Sequence, residues 1–294
     1  FRDGVFNQPI GNWDVTSVIS MQGMFRQASF NQDISTWNVS NVTEMSHMFR
    51  DASFNQDIST WIVSNVTEMR GMFRDAVFNQ PIGNWNVSSV EDMLSMFEDA
   101  TSFDQDLNSW DVSSVDDMEA MFYGASSFNQ PLNQWDVSSV EDMESMFNGA
   151  TSFDQDLGSW DVSSVDDMDS MFAEVTLSQS NYDGILSGWS SIDSLQNGVT
   201  FDAGNSISCD WESKMILTNT HNWTIIDAGN ACLINDENIQ DAVDLWISNP
   251  DSASSIYGGH ISNWDVSAVT NMLNLFKNKS CLLYTSPSPR DATL

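Results

Sequence analysis

Basic residues are scarce. Lys and Arg together number 9 against 42 Asp and Glu, so the formal net charge is -33. Between Arg74 and Lys214 there is no Lys or Arg. Phosphate backbones and anionic headgroups are held by cations, which argues against nucleic-acid binding and against docking on an anionic membrane. Long apolar runs are missing too, and no stretch approaches the roughly 20 residues of a membrane helix. Cysteine is limited to Cys209, Cys232 and Cys281, with no C-x-x-C spacing for a metal or redox motif. Cys209 and Cys232 flank one short segment and are either a disulfide of a secreted protein or two buried thiols. The three histidines are His47, His221 and His260. No H-E-x-x-H, G-x-S-x-G or P-loop motif surrounds any residue, and His47 reads as a surface side chain. Carboxylates are plentiful enough to make a glycosidase-like pair, but Asp repeated on a repeated scaffold argues against one tuned pair. No enzyme and no cofactor is expected.

What the sequence has is a repeat. Trp13, Trp37, Trp61, Trp85, Trp110, Trp135 and Trp160 head seven units spaced 24 and then 25 residues apart. The segments 100–122 and 150–172 are nearly identical, as if two units had been duplicated together. Hydrophobic residues make up 41% of the chain, enough to bury a core. A period in the twenties lies in the leucine-rich-repeat range. Within the sixth unit, Leu132, Trp135 and Val137 follow the strand spacing of such a repeat, with Trp135 and Val137 on one face. Val140, Met143, Met146 and Phe147 then recur at helical spacing. Ser138 or Ser139 is placed to cap that helix, Glu141 and Asp142 to occupy its first turn, and Gly149 to end it. The expected fold is an α/β repeat solenoid, leucine-rich-repeat-like, with one short strand and one short helix per 24–25-residue unit. The Asn-Gln pair after each Phe, as in Asn31-Gln32 and Asn129-Gln130, reads as an amide ladder that satisfies the backbone of the neighbouring unit.

The string F-N-Q-[DP]-[LI]-x-x-W-[DN]-V-S-[NS]-V-x-x-M-x-x-M-F-x-x-A resembles the BspA-like leucine-rich-repeat surface proteins, whose repeat also occurs in mycoplasma lipoproteins. The likeness covers 1–173, with Ile62 departing where Asp or Asn is usual. Residues 174–228, from Leu177-Ser178-Gln179 to Trp223-Thr224-Ile225, resemble the cap of such an array, which needs a lid with a polar outer face. Residues 229–279 resemble the N-terminal cap and first unit of a second array. Asn238–Trp246 reads there as an amphipathic helix, and Gly258, His260 and Trp264-Asp265-Val266-Ser267 follow. Residues 280–294 share no pattern with the rest and resemble translated adaptor sequence, the alternative being a flexible linker. The chain opens at Phe1, inside a repeat, and reads as a piece of a longer one. The resemblance implies a secreted or surface-anchored protein that binds proteins or glycans, and it supplies no catalytic residues.

The candidate binding face follows from the strand reading. The residue after each Trp points outward, giving the ladder Asp14, Asn38, Ile62, Asn86, Asp111, Asp136 and Asp161, with Gln134 and Ser138 beside it in the sixth unit. Strands about 4.8 Å apart would bring Asp111, Asp136 and Asp161 into an anionic stripe. That stripe is either a solvated surface, a docking face for a basic partner, or a holder of Ca²⁺ between stacked carboxylates. The sequons at Asn38, Asn41, Asn65, Asn86 and Asn222 fit N-glycosylation. Two functions remain in view: an extracellular adhesion-type scaffold, or a purely structural spacer steadied by divalent cations.

Overall fold

A computed structural model describes residues 4–229, 232, 234–236, 238–257 and 260–277. The unpatterned tail at 280–294, Cys281 and Gly258 lie outside the described residues. The chain divides into two compact units, Phe1–Ser206 with Glu212–Ala228, and Ile207–Trp211 with Gly229–Leu294. The stretch Ile207–Trp211, expected within the cap, groups with the second unit.

In the first unit each repeat forms one layer, and its apolar positions all turn inward. In the sixth layer Phe128, Leu132, Trp135, Val137, Val140, Met143, Met146, Phe147 and Ala150 are buried. Like side chains stack from layer to layer. The column Phe25, Phe49, Phe73, Phe97, Phe122, Phe147, Phe172 has ring centroids 5.3–5.7 Å apart. The indole of each Trp reaches back a layer: Nε1 of Trp37, Trp61, Trp85, Trp110, Trp135 and Trp160 donates to a backbone carbonyl 27 or 28 residues earlier, at 2.9–3.2 Å. A buried indole N–H needs such an acceptor. Trp13, expected to be buried with the others, is 46% exposed, because no described layer precedes it. The Asn-Gln pairs form the ladder read from the sequence. Asn31 Oδ1, for instance, accepts from the Asn55 N–H and from Gln56 Nε2 in the next layer.

The expected strand and helix of each unit are absent from the described layers. Residues 135–137 carry no strand, and 140–149 are a run of tight turns with an isolated parallel bridge at Asp142. Met146, Asn148 and Ala150 donate to the carbonyls of Met143, Ser145 and Phe147, three residues back. The alternate N–H groups of Met143, Ser145, Phe147 and Gly149 donate to the next layer, each at 2.9 Å. A helix would send all of them four residues back. Left-handed residues forbid that: Ser145 has φ +56° and Gly149 φ +71°, and every layer repeats the pair four residues apart. Gly149 therefore does not end a helix, nor do Ser138 and Ser139 cap one. Backbone groups that a helix would satisfy internally instead join the layers.

The ladder ends in a lid. Helix α1 (Gln179–Ser190) buries Tyr182, Ile185, Leu186 and Trp189 against the last layer. Trp189 Nε1 donates to the Leu157 carbonyl and so extends the indole column. A Cβ on Gly188 would strike the Gly158 backbone, so that approach requires glycine. Met168 bridges to Phe201 in strand β1 (Thr200–Asp202), which pairs in parallel with β2 (Thr224–Ile226); helix α2 (Trp211–Thr220) links the two strands.

The second unit holds helices α3 (Ile239–Ser248) and α4 (Pro250–Ile256). Helix α3 is the amphipathic segment read from the sequence, and it buries Ile239, Ala242, Val243 and Trp246. Asn249 Oδ1 caps α4 by accepting from the Ser252 N–H. A disulfide joins Cys209 to Cys232, with Cα atoms 5.0 Å apart. Residues 264–277 fold as one more layer, with Asn274 left-handed where Gly23 is in the first. Among the described residues no helix is long and apolar enough to cross a membrane.

Candidate binding face

Three corners of the layer are tied by a side chain that accepts from the backbone two residues on. At the first corner Asp33, Asp57, Asp106 and Asp156 accept from the N–H of Ser35, Ser59, Asn108 and Gly158. The expected outward ladder is the second corner. Asp14, Asn38, Asn86, Asp111, Asp136 and Asp161 accept from Thr16, Ser40, Ser88, Ser113, Ser138 and Ser163 at 3.0–3.2 Å. The third corner is Glu44, Asp92, Asp117, Asp142 and Asp167, at 2.8–2.9 Å. Asp and Asn are the residues that make this turn, since a short carbonyl-bearing side chain reaches its own backbone.

The second-corner residues are exposed, as is Gln134, while Ser138 is half-buried and donates to Asp136. They sit on turns and not on a strand, so the 4.8 Å strand argument does not apply to them. Their alternation between Asp and Asn has a local cause, since both close the turn. Ile62 cannot close it and stands exposed. Hydroxyl and backbone donors from Thr16 and Ser138 hold the carboxyls of Asp14 and Asp136 below the ordinary range.

The regular ladder of acids is the third corner. Parallel bridges run Ser20, Glu44, Glu68, Asp92, Asp117, Asp142, Asp167, placing an acid in six consecutive layers. Exposed Glu91, Asp116, Glu141 and Asp166 precede these residues, and Glu119, Glu144 and Asp169 follow them. Burial, and then the neighbouring acids, push Glu68, Asp117, Asp142 and Glu144 above the ordinary carboxylate range; Glu119 moves the same way for the same reasons. The sequence carried this stripe as the acid before each first Met, but the helical reading assigned Asp142 to a dipole role.

Other concavities are shallow and polar. One of about 310 Å³ is lined by Pro131, Asn133, Gln155, Asp156, Ser159 and Asn181. Another, of about 230 Å³, repeats the same unit positions at Pro81, Gly83, Asn84, Gln105, Asp106 and Ser109. Neither lining holds a His, Cys or Lys. Among the described residues no group of three or more His, Cys, Asp or Glu is placed to hold a metal ion. His47 is half-buried at the edge of the array, and burial and the cations of Arg50 and Arg26 lower its pKa.

A family model described as "Mycoplasma protein of unknown function, DUF285" matches residues 1–104, 75–189 and 250–284. These matches in series show a tandem repeat. No curated protein matches the chain, and no solved structure does.

Proposed function

The chain belongs to the DUF285 family, and we propose that it is a non-catalytic extracellular scaffold, a leucine-rich-repeat-type solenoid akin to the BspA-like surface proteins. It presents its acidic side to proteins or glycans at a cell surface or in a matrix. The observation that carries this reading is the division of labour within each layer. Inward positions are used up by packing, and the remaining side chains form a bridged acidic stripe that no Lys or Arg interrupts in the fourth to seventh layers. Such a field steers a cationic partner toward the stripe. The Cys209–Cys232 disulfide supports an oxidising, extracellular setting. A structural spacer is the second reading. It draws on the sameness of the layer-to-layer bonds, which serve extension as well as display.

The test compares two triple variants that keep every corner bond, since Asn closes the same turn. One is Asp117→Asn with Asp142→Asn and Asp167→Asn. The other is Asp111→Asn with Asp136→Asn and Asp161→Asn. Both are measured against a panel of cell-surface and matrix proteins, with circular dichroism as the folding control. A slower on-rate is expected for the third-corner set, and a smaller change for the second-corner set. Unchanged rates for both folded variants would leave the spacer reading standing alone.

A further inference from the structure

The first corner differs between layers. In the second, third, fifth and seventh layers it is Asp33, Asp57, Asp106 and Asp156, each tied to the N–H two residues on. The fourth and sixth layers place Pro81 and Pro131 there. Proline has no side-chain acceptor to tie the corner, and its ring closes back on its own backbone instead of reaching toward the next layer. The two polar hollows lie where a proline corner adjoins an aspartate corner, one at Pro81 and Asp106, the other at Pro131 and Asp156. Both prolines are exposed, so each hollow has an apolar ring in its wall.

The other groups in each hollow are left as acceptors. Asp106 and Asp156 use Oδ1 for the corner bond. Gln105 and Gln155 spend Nε2 on Asn79 and Asn129 of an earlier layer. Ser109 and Ser159 donate their hydroxyls to the carbonyls of Gly83 and Asn133. The carboxylate Oδ2 and amide Oε1 atoms accept no hydrogen bond among the described residues, and each Ser oxygen keeps acceptor capacity. Acceptors beside an apolar ring complement a ligand with several O–H donors and a C–H face, which is a sugar ring. An anion would meet a carboxylate there and be repelled. A cation finds more charge on the third-corner ladder, where six consecutive layers each carry an acid. At about 310 and 230 Å³ the hollows lie at or below the small end of ligand pockets, so each takes a single ring.

Spacing sets the linkage. The rings of Phe97, Phe122 and Phe147 step 5.5 Å from the fourth layer to the fifth and 5.5 Å again to the sixth. The hollows are thus two steps apart. In an extended chain of β-1,4-linked pyranoses one ring advances by a similar distance, and alternate rings present the same face. We propose that the first-corner edge of the fourth to seventh layers binds a neutral, extended β-1,4-linked glycan, with one ring over Pro81 and the next ring but one over Pro131. Each hollow alone is shallow, so affinity comes from filling both, the second ring binding at the high effective concentration set by the first. This edge is separate from the acidic stripe and does not depend on the stripe having a partner.

Isothermal titration calorimetry of the whole chain with neutral β-1,4-linked oligosaccharides of glucose and of N-acetylglucosamine tests it. A hexasaccharide, which spans both hollows, should bind more than about tenfold tighter than a disaccharide, which reaches one. Pro81→Asp and Pro131→Asp copy the corner of the neighbouring layers, so the fold is kept, as thermal melts matching wild type would show. Each should bring the hexasaccharide down to the affinity of the disaccharide, and the two together should abolish binding. Asp106→Asn with Asp156→Asn keeps both corner bonds and should weaken binding several-fold, since a charged acceptor for sugar hydroxyls is lost. The stripe variant Asp117→Asn with Asp142→Asn and Asp167→Asn should bind the glycan as wild type does, which separates this site from the stripe. No heat with any neutral glycan, equal affinity at both lengths, or folded proline variants that bind like wild type would overturn the proposal. So would a sulfated oligosaccharide or a Lys-rich peptide that outcompetes the neutral hexasaccharide at this edge.

Discussion

Ala120 holds φ +52° in a layer where other repeats place Gly71 or Ser145 at the same point. A left-handed conformation costs an L-residue about 1–2 kcal/mol, and glycine returns part of that in lost chain entropy. Ala120→Gly should therefore stabilise the array by about 0.5–1 kcal/mol in denaturant melts, and a loss would contradict the assigned backbone. The reverse holds for Gly124→Ala, where φ is +64° and a Cβ would also strike the Asp99 carboxylate. Trp135 is the opposite kind of residue. Its ring stacks on Trp160 at 6.3 Å, and its Nε1 donates to the Leu107 carbonyl at 2.9 Å. Trp135→Ala should cost about 3–5 kcal/mol. Asp136→Ala, which removes only the two corner bonds from Ser138 at an exposed site, should cost about 1 kcal/mol or less. Equal losses in paired melts would sink the inward and outward assignment. These two residues were legible in the sequence, since recurrence and apolarity place Trp inside and Asp outside. The corner role of Asp136 was not legible, because an acid that ties its own turn and an acid that faces a partner look alike in a sequence.

At the level of elements, the misreading of 140–149 has a physical source. Inward residues at Val140, Met143, Met146 and Phe147 suit a helix, but they suit a chain of three-residue turns equally well. The distinguishing feature is the left-handed pair, and glycine marks it only in some layers: Gly23 and Gly71 at one position, Gly124 and Gly149 at the other. Where Ser, Asp, Ala or His holds the same conformation, the neighbouring layer imposes it. The segment that closes the last layer contains a lock that was not legible in the sequence. Tyr182 on α1 donates to Asp227 at 2.6 Å, and Lys214 on α2 pairs with the same carboxylate at 2.5 Å. Burial and the Asp227 carboxylate push the Tyr182 phenol far above its ordinary range, so it stays a donor. Lys214→Met leaves Asp227 buried without its counter-charge and should destabilise the first unit by about 3 kcal/mol. Adding Asp227→Asn should recover part of that loss, because a neutral amide still accepts from Tyr182. If the double variant is no more stable than Lys214→Met alone, the lock is not electrostatic.

For the whole molecule, the charge imbalance was plain from composition, while the stripe that concentrates it depends on which positions the layers bridge. The stripe gives stability a pH dependence whose sign can be worked out. Glu68, Asp117, Glu119, Asp142 and Glu144 have folded values raised above the ordinary 4.5 for Glu and 3.8 for Asp. The folded state then binds more protons than the unfolded state between the two values, so stability falls as pH rises through that window. Equivalently, acidifying from neutrality should raise the melting temperature until the unfolded carboxyls also protonate. Asp14, Asp33, Asp57 and Asp136 act in the other direction, because hydrogen bonds hold their folded values below 3.8. Their contribution is present above the unfolded value and is lost as pH falls through the folded one. The expected profile rises from neutral pH to a maximum a little above the ordinary carboxylate range and drops below it. Neutralising the stripe with Asp117→Asn and Asp142→Asn should flatten the rising limb and leave the acid limb in place. High NaCl should flatten the same limb by screening the repulsion, and Ca²⁺ should do no more than Mg²⁺ at equal ionic strength. Melts across pH at two salt concentrations read all of these at once. A melting temperature that falls steadily from neutral pH downward would show that the bridged acids do not repel one another in the folded chain.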